Sequence, residues 1–158
     1  CKCIFMVYGG MTTDLNPNTM AAWVSLIRAS ERAISQVEGV LKDQSLPPLS
    51  WYDALIEVEK SGEAGVRPFE LRERLLMPQY GTSRLLARIE KAGYIQRVPC
   101  SLDGRGHVVK ITNEGKAIRK RMWPIYFNCI KNMVETNLTN VQAEELRSLV
   151  DCVAMDKI

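Results

Sequence analysis

Residues 71–115, LRERLLMPQYGTSRLLARIEKAGYIQRVPCSLDGRGHVVKITNEG, decide how this chain is read. In the middle of the stretch Leu85, Leu86 and Ile89 recur at helical spacing, and the same spacing leaves Arg84, Arg88 and Lys91 outside. Met77-Pro78 breaks the helix before it, whose apolar face is Phe69, Leu71, Leu75 and Leu76, and Gly93 ends this one. Residues 94–98 and 107–111 then read as antiparallel strands around a turn-rich tip, 101–106, where Gly104 and Gly106 permit sharp bends. The pattern is two helices joined by a tight turn and followed by a hairpin wing.

The charge is concentrated in the same place. Between positions 72 and 121 stand twelve lysines and arginines against only Glu73, Glu90, Asp103 and Glu114, while the segments on either side are net acidic. The overall charge of +3 therefore hides a strongly basic centre whose natural partner is a polyanion.

A chain of 158 residues holds one ordinary domain with a real core. Its 46% hydrophobic and 25% charged residues are those of a globular protein, and its longest apolar run, residues 3–8, is far below the ~20 residues of a membrane span. No membrane partner is expected. Five cysteines, Cys1, Cys3, Cys100, Cys129 and Cys152, follow neither a disulfide framework nor zinc-site spacing, so a reducing, cytoplasmic setting is expected. Cys1-x-Cys3 lacks a second pair to complete a metal site, and His107 lacks an acidic or cysteine partner. With no catalytic triad, phosphate loop or ligand cluster, neither enzyme activity nor a metal or cofactor is expected.

Working outward, residues 1–17 read as a flexible N-terminal extension, of which the first ten look like an upstream addition. Met20, Trp23, Val24, Ile27, Ile34, Val37 and Leu41 form the stripe of an amphipathic helix over 18–43. Ser50, with Asp53 three residues on, is expected to cap a second helix that Ser61-Gly62 stops. Residues 65–67 allow a strand of a residue or two, and Pro68 suits the first turn of the next helix. Beyond the wing, Thr112 caps a long helix towards Asn137, which Pro124 should kink rather than end. Thr139-x-x-Gln142 is a capping box for a last helix, whose stripe of Ala143, Leu146, Leu149, Val150 and Val153 needs a partner surface.

This order of elements resembles the MarR family of bacterial transcription regulators. Three local patterns carry the resemblance: TSRLLARIEKAGYIQR at 82–97, Asp103-Gly104-Arg105-Gly106 at the wing tip, and Ile111-Thr112-x-x-Gly115 opening the helix that follows. With the flanking helices they cover nearly the whole chain from Asn18 onward. The implied fold is mainly α with a small β-hairpin wing: a winged helix-turn-helix over 49–111, flanked by a helical dimerisation layer formed by 18–48 and 112–158.

The implied function is sequence-specific binding of double-stranded DNA by a homodimer at an inverted repeat, with repression the commonest sign. Gln79, Tyr80, Thr82, Ser83, Arg84 and Arg88 are the candidates to read bases or hold phosphates from a helix in the major groove. Core packing is the competing role for Thr82. Arg105 between its glycines suits a narrow minor groove, and Asp103, as in the family, is expected to shape the wing by pairing with an arginine. A small aromatic effector is a further implication, with Trp23, Trp51, Tyr52 and Trp123 as candidate pocket residues, although aromatics so spaced also suit a core. Cys100 at the wing base is the cysteine best placed to disturb DNA contacts on oxidation.

Two departures from the family pattern stand out. Ala87 occupies a position where many relatives carry an acid, so a helix-to-wing ion pair made there is absent, and Gly81 is read as a first-turn residue costing roughly 1 kcal/mol against alanine. The readings that compete with DNA binding are a winged-helix module gripping a protein partner, a cysteine-based redox-sensing regulator and, more remotely, an enzyme using the cysteines.

Overall fold

In this computed structural model residues 15–75, 81–99 and 106–154 are described. The first apolar stripe forms helix α1 (Pro17–Asp43), but only Val37 and Leu41 of it are buried. Met20, Trp23, Ile27 and Ile34 are exposed. Contacts divide the chain within this helix: residues up to Ala33 form one unit, and those from Ile34 onward form the other, which holds the core.

Helix α2 (Leu49–Lys60) starts one residue before the expected Ser50 cap, and Pro48 occupies the cap position with no side-chain hydrogen bond. The acceptor comes from a distance instead. Glu38 Oε1, eleven residues back on α1, accepts from the Leu49 N–H at 2.9 Å and puts negative charge at the positive end of the helix. Asp53, expected at the exposed amides of the first turn, is buried.

A short 3₁₀ turn, Gly62–Ala64, leads to Val66, which makes the brief strand pairing anticipated there, with Val109. Helix α3 (Pro68–Arg74) has its proline at the first position, and the Glu70 carboxylate accepts the Arg67 N–H at 3.3 Å. Leu71 and Leu75 are buried, whereas Phe69 is exposed and leaves the expected apolar face. At about 100° per residue Phe69 stands roughly 200° from Leu71, on the far side of the helix.

Helix α4 (Thr82–Lys91) presents Leu85, Leu86 and Ile89 to the core. Gly81 is its N-cap rather than a first-turn residue, with φ 98 in the left-handed region. Glycine is therefore the favoured residue there, which reverses the cost expected of it. Strands β1 (Ile95–Pro99) and β2 (His107–Ile111) pair antiparallel from Ile95↔Ile111 to Pro99↔His107, with Ile95 and Val109 facing inward.

Helix α5 (Asn113–Ile130) is capped as anticipated, Thr112 Oγ1 accepting from the Gly115 N–H at 3.0 Å. It continues through Pro124 and ends in a π turn, Lys131–Glu135, which the sequence pattern had merged into one helix. The wider turn closes through the Thr136 N–H on the Lys131 carbonyl at 2.9 Å, and the Asn137 amide donates to the carbonyls of Asn132 and Met133.

The Thr139 capping box forms, with the Gln142 side chain accepting the Thr139 N–H at 2.9 Å and Thr139 Oγ1 accepting the Gln142 N–H at 3.3 Å. It opens helix α6 (Asn140–Ala154), which buries none of its residues.

The core joins α2 to α5 and the wing base through Leu41, Leu55, Leu71, Leu85, Leu86, Ile89, Val109 and Met122, all essentially inaccessible. Each such side chain is worth about 1.5–3 kcal/mol relative to exposure. Among the described residues no helix is long and apolar enough to cross a membrane.

Candidate nucleic-acid interface

Burial of Leu85, Leu86 and Ile89 fixes the rotation of α4, and the residues left outside follow from it. Arg84, Ala87, Arg88 and Lys91, at helical spacings of three, four and seven, share one exposed face with Ser83 beside them. Arg84, Arg88 and Lys91 make no ion pair among the described residues, whereas Arg74, Arg97, Lys110 and Arg119 are held by Glu70, Glu90, Glu63 and Glu59. Three cations of the winged unit therefore stand unpaired on one face of one helix.

Thr82 is the correction among the sequence candidates. It is 7% exposed, next to the left-handed Gly81, a buried position that suits the core packing offered as its competing role rather than an open reading face. Ser83, Arg84 and Arg88 lie on the open face. Gln79, Tyr80, Asp103 and Arg105, together with Cys100, fall outside the described residues.

Sequence reasoning missed how the helix is tied to the wing. Ala87 has no charge to offer, but Glu90, three residues on, places Oε2 3.3 Å from Nε of Arg97 on β1. The signal was present in the helix ending Glu90-Lys91-Ala92-Gly93 and the strand that starts two residues later, since a chain turning back at Gly93 carries Arg97 past the last helical turn.

A second feature is an aromatic cleft of about 250 Å³ between α2 and α5, just below the usual ligand-pocket range. Of the four candidate pocket residues, Tyr52 and Trp123 line it, with their rings stacked at 6.2 Å. Trp51 does not: it packs edge-on to Tyr94 at 5.9 Å, in keeping with the core role that aromatics so often take. Trp23 belongs to the N-terminal unit and is exposed there.

Tyr126 joins the cleft wall, as its spacing of three from Trp123 on one helix allows. Burial, and then the nearness of Tyr52 and Asp53, push its phenol above the usual tyrosine range. Lys60 and Arg74 stand at the same cleft, the first paired with Glu57 at 2.6 Å and the second donating to Ser61 Oγ at 3.2 Å. No cluster of three or more potential metal ligands occurs among the described residues.

A helical pair whose second member is open on one side and backed by an antiparallel hairpin defines a winged helix-turn-helix protein. Residues 45–106 match the model of the MarR family. An uncharacterised HTH-type transcriptional regulator of Bacillus cereus is 29% identical over 112 residues, 70% of this chain and 72% of that protein, and one from Bacillus anthracis aligns to the same extent.

Among solved structures, Sco3205, a MarR family transcriptional regulator from Streptomyces coelicolor in complex with DNA, superposes with a TM-score of 0.82 at 25% identity, covering 92% of this chain and 91% of that one. A mutant MarR from E. coli complexed with operator DNA matches with a TM-score of 0.75 at 21% identity, over 89% of this chain and 99% of that one. The winged unit thus matches the MarR family model, and the fold is similar to that of the MarR family regulators solved with DNA.

Proposed function

We propose that this chain regulates transcription by binding double-stranded DNA, as a homodimer on an inverted-repeat operator and with repression as its usual effect. The observation that carries the reading is the single exposed face of α4, with Arg84, Arg88 and Lys91 unpaired on it and the wing beside it. An α-helix fits the major groove, and unpaired cations on such a helix gain more from phosphates than cations already neutralised. Ser83, Arg84 and Arg88 are the contacts proposed for the groove. Gln79, Tyr80 and, at the wing tip, Arg105 are added by their place in the sequence.

The likeness to two regulators solved with DNA supports the same role. A dimer is supported by the exposed Leu146, Leu149 and Val153 of α6, since a lone chain gains nothing from an apolar face in water. Residues 18–48 and 112–158 are proposed to form that layer, in a cytoplasmic protein. A small aromatic ligand stacking in the Tyr52–Trp123–Tyr126 cleft is the effector the cleft chemistry favours.

Selection of bound duplexes from a random pool tests the proposal. The expected product is an inverted repeat with half-sites about one helical turn apart. Recovery of no enriched sequence would favour a winged module for protein partners instead.

A further inference from the structure

Glu90 is the one carboxylate of α4, among Arg84, Arg88 and Lys91. On a helix that meets phosphates such a charge is unfavourable, because it repels the polyanion the other three attract. The structure shows where it goes. Its carboxylate crosses from the last turn of α4 to the wing and lies 3.3 Å from the Arg97 guanidinium.

Both ends of this contact are fixed by their own elements. Ile89, fully buried, sets the rotation of the turn that carries Glu90. Arg97 lies in register opposite Val109, and Val109 is bound on its other side to Val66 through hydrogen bonds of 3.1 and 2.8 Å. Only Ala92, Gly93 and Tyr94 connect the two elements, and Gly93 turns there with φ 79. The pair therefore spans a tight turn between a rigid helix and a rigid strand, and it bears on the angle between them.

That angle matters wherever helix and wing must meet one duplex together. Two contact modules on one body reinforce each other only if the geometry lets both engage at once, and a pre-set angle removes the ordering cost of finding it. Both side chains are about one-third exposed, at 34% and 37%, so the pair contributes little to folding and can be replaced without unfolding the chain.

We propose that Glu90 is a positioning residue for DNA recognition: by holding Arg97 it sets the wing against the recognition helix, and so favours specific over non-specific duplexes. This rests on the duplex-binding reading above. The two effects of Glu90 have opposite signs. Its charge weakens binding to every duplex, while its pairing strengthens binding only to the duplex that helix and wing fit together.

The test compares the full chain with Glu90→Gln, Arg97→Gln and the swapped double variant Glu90→Arg/Arg97→Glu. Each is titrated by fluorescence anisotropy against a duplex recovered by selection with the parent and against a shuffled duplex of equal length and composition. Glu90→Gln is expected to tighten the shuffled duplex and loosen the selected one, lowering the ratio of the two affinities about 5-fold for each winged unit engaged. The double variant, whose net charge equals the parent's, is expected to recover most of that ratio, with all melting temperatures within about 2 °C.

Equal tightening of both duplexes by Glu90→Gln would overturn the proposal and leave Glu90 a plain repulsive charge. Equal weakening of both by Arg97→Gln, with no recovery in the double variant, would overturn it in favour of Arg97 as a simple phosphate contact. A parent that binds neither duplex in a salt-dependent way would remove the duplex-binding reading itself. A parent that binds while the variants keep its ratio would remove only this inference.

Discussion

Gly115, in the first turn of α5, packs directly on the carbonyl of Tyr94, so closely that a Cβ at position 115 would overlap the carbonyl oxygen. The contact lies beside two hydrogen bonds: Thr112 Oγ1 donates to the Gly93 carbonyl at 2.7 Å, and the Thr112 N–H donates to the Tyr94 carbonyl at 3.1 Å. The end of α4, the start of the wing and the start of α5 thus meet at one point.

Because the obstacle is backbone, Gly115→Ala is expected to destabilise the chain by about 1–3 kcal/mol. Thermal denaturation should show a fall of roughly 3–10 °C. Gly39→Ala is the control, since it lies inside α1 and an added Cβ would meet nothing within 4 Å. It should be neutral or stabilise by about 0.5–1 kcal/mol.

Gly81→Ala tests the cap of α4. The space around Gly81 is ordinary, with Arg84 Cδ at 3.8 Å from an added Cβ, so the cost lies in the positive φ alone. A loss of about 1–2 kcal/mol is expected, and an unchanged melting temperature would show that the backbone at Gly81 relaxes freely.

These residues show how much of the molecule was legible in its sequence. Local devices were: the Thr112 cap, the Thr139 box, Pro68 at a helix start and the inward face of α4 each depend on residues within a turn of one another. Devices that need distant partners were not. Nothing near Leu49 announces that Glu38 satisfies its amide, and the left-handed turn at Gly81 is a backbone angle rather than a residue pattern. Of the proposed interface, the cations were legible because helical spacing sorts them outward, whereas the buried Thr82 and the Glu90–Arg97 contact emerged only when the turn at Gly93 was in place.

Tyr126 makes the alkaline side of the stability curve informative. Its phenol is raised in the folded chain, first by burial and then by Tyr52 and Asp53, so the folded state holds the proton more tightly than the unfolded state does. The resulting stability is fully present below the ordinary tyrosine value near 10 and is lost as pH rises through the folded value. Ultraviolet tyrosinate titration should show one late component that Tyr126→Phe removes; if all tyrosines titrate together in both proteins, the burial argument is wrong.

Arg84→Ala and Arg88→Ala separate binding from folding. Both side chains are exposed and unpaired, so stability should change by no more than about 0.5 kcal/mol. Duplex affinity should fall by about 1–3 kcal/mol where the arginine reads a base, and the salt slope should drop by about 1 where it meets a phosphate. Retained affinity and slope in both variants would move the interface away from α4.

If the unpaired cations of α4, with the wing beside them, meet the phosphates of duplex DNA in a dimer, the salt dependence of duplex binding shows it most directly, with the mass checked by light scattering at the same concentrations. The expected mass is twice the 17.9 kDa of the chain. With about 6–10 phosphates contacted per dimer, affinity should fall about 1,000-fold or more between 50 and 200 mM salt. A flat salt response from a protein of 17.9 kDa would contradict both the polyanion partner and the dimer that carries it.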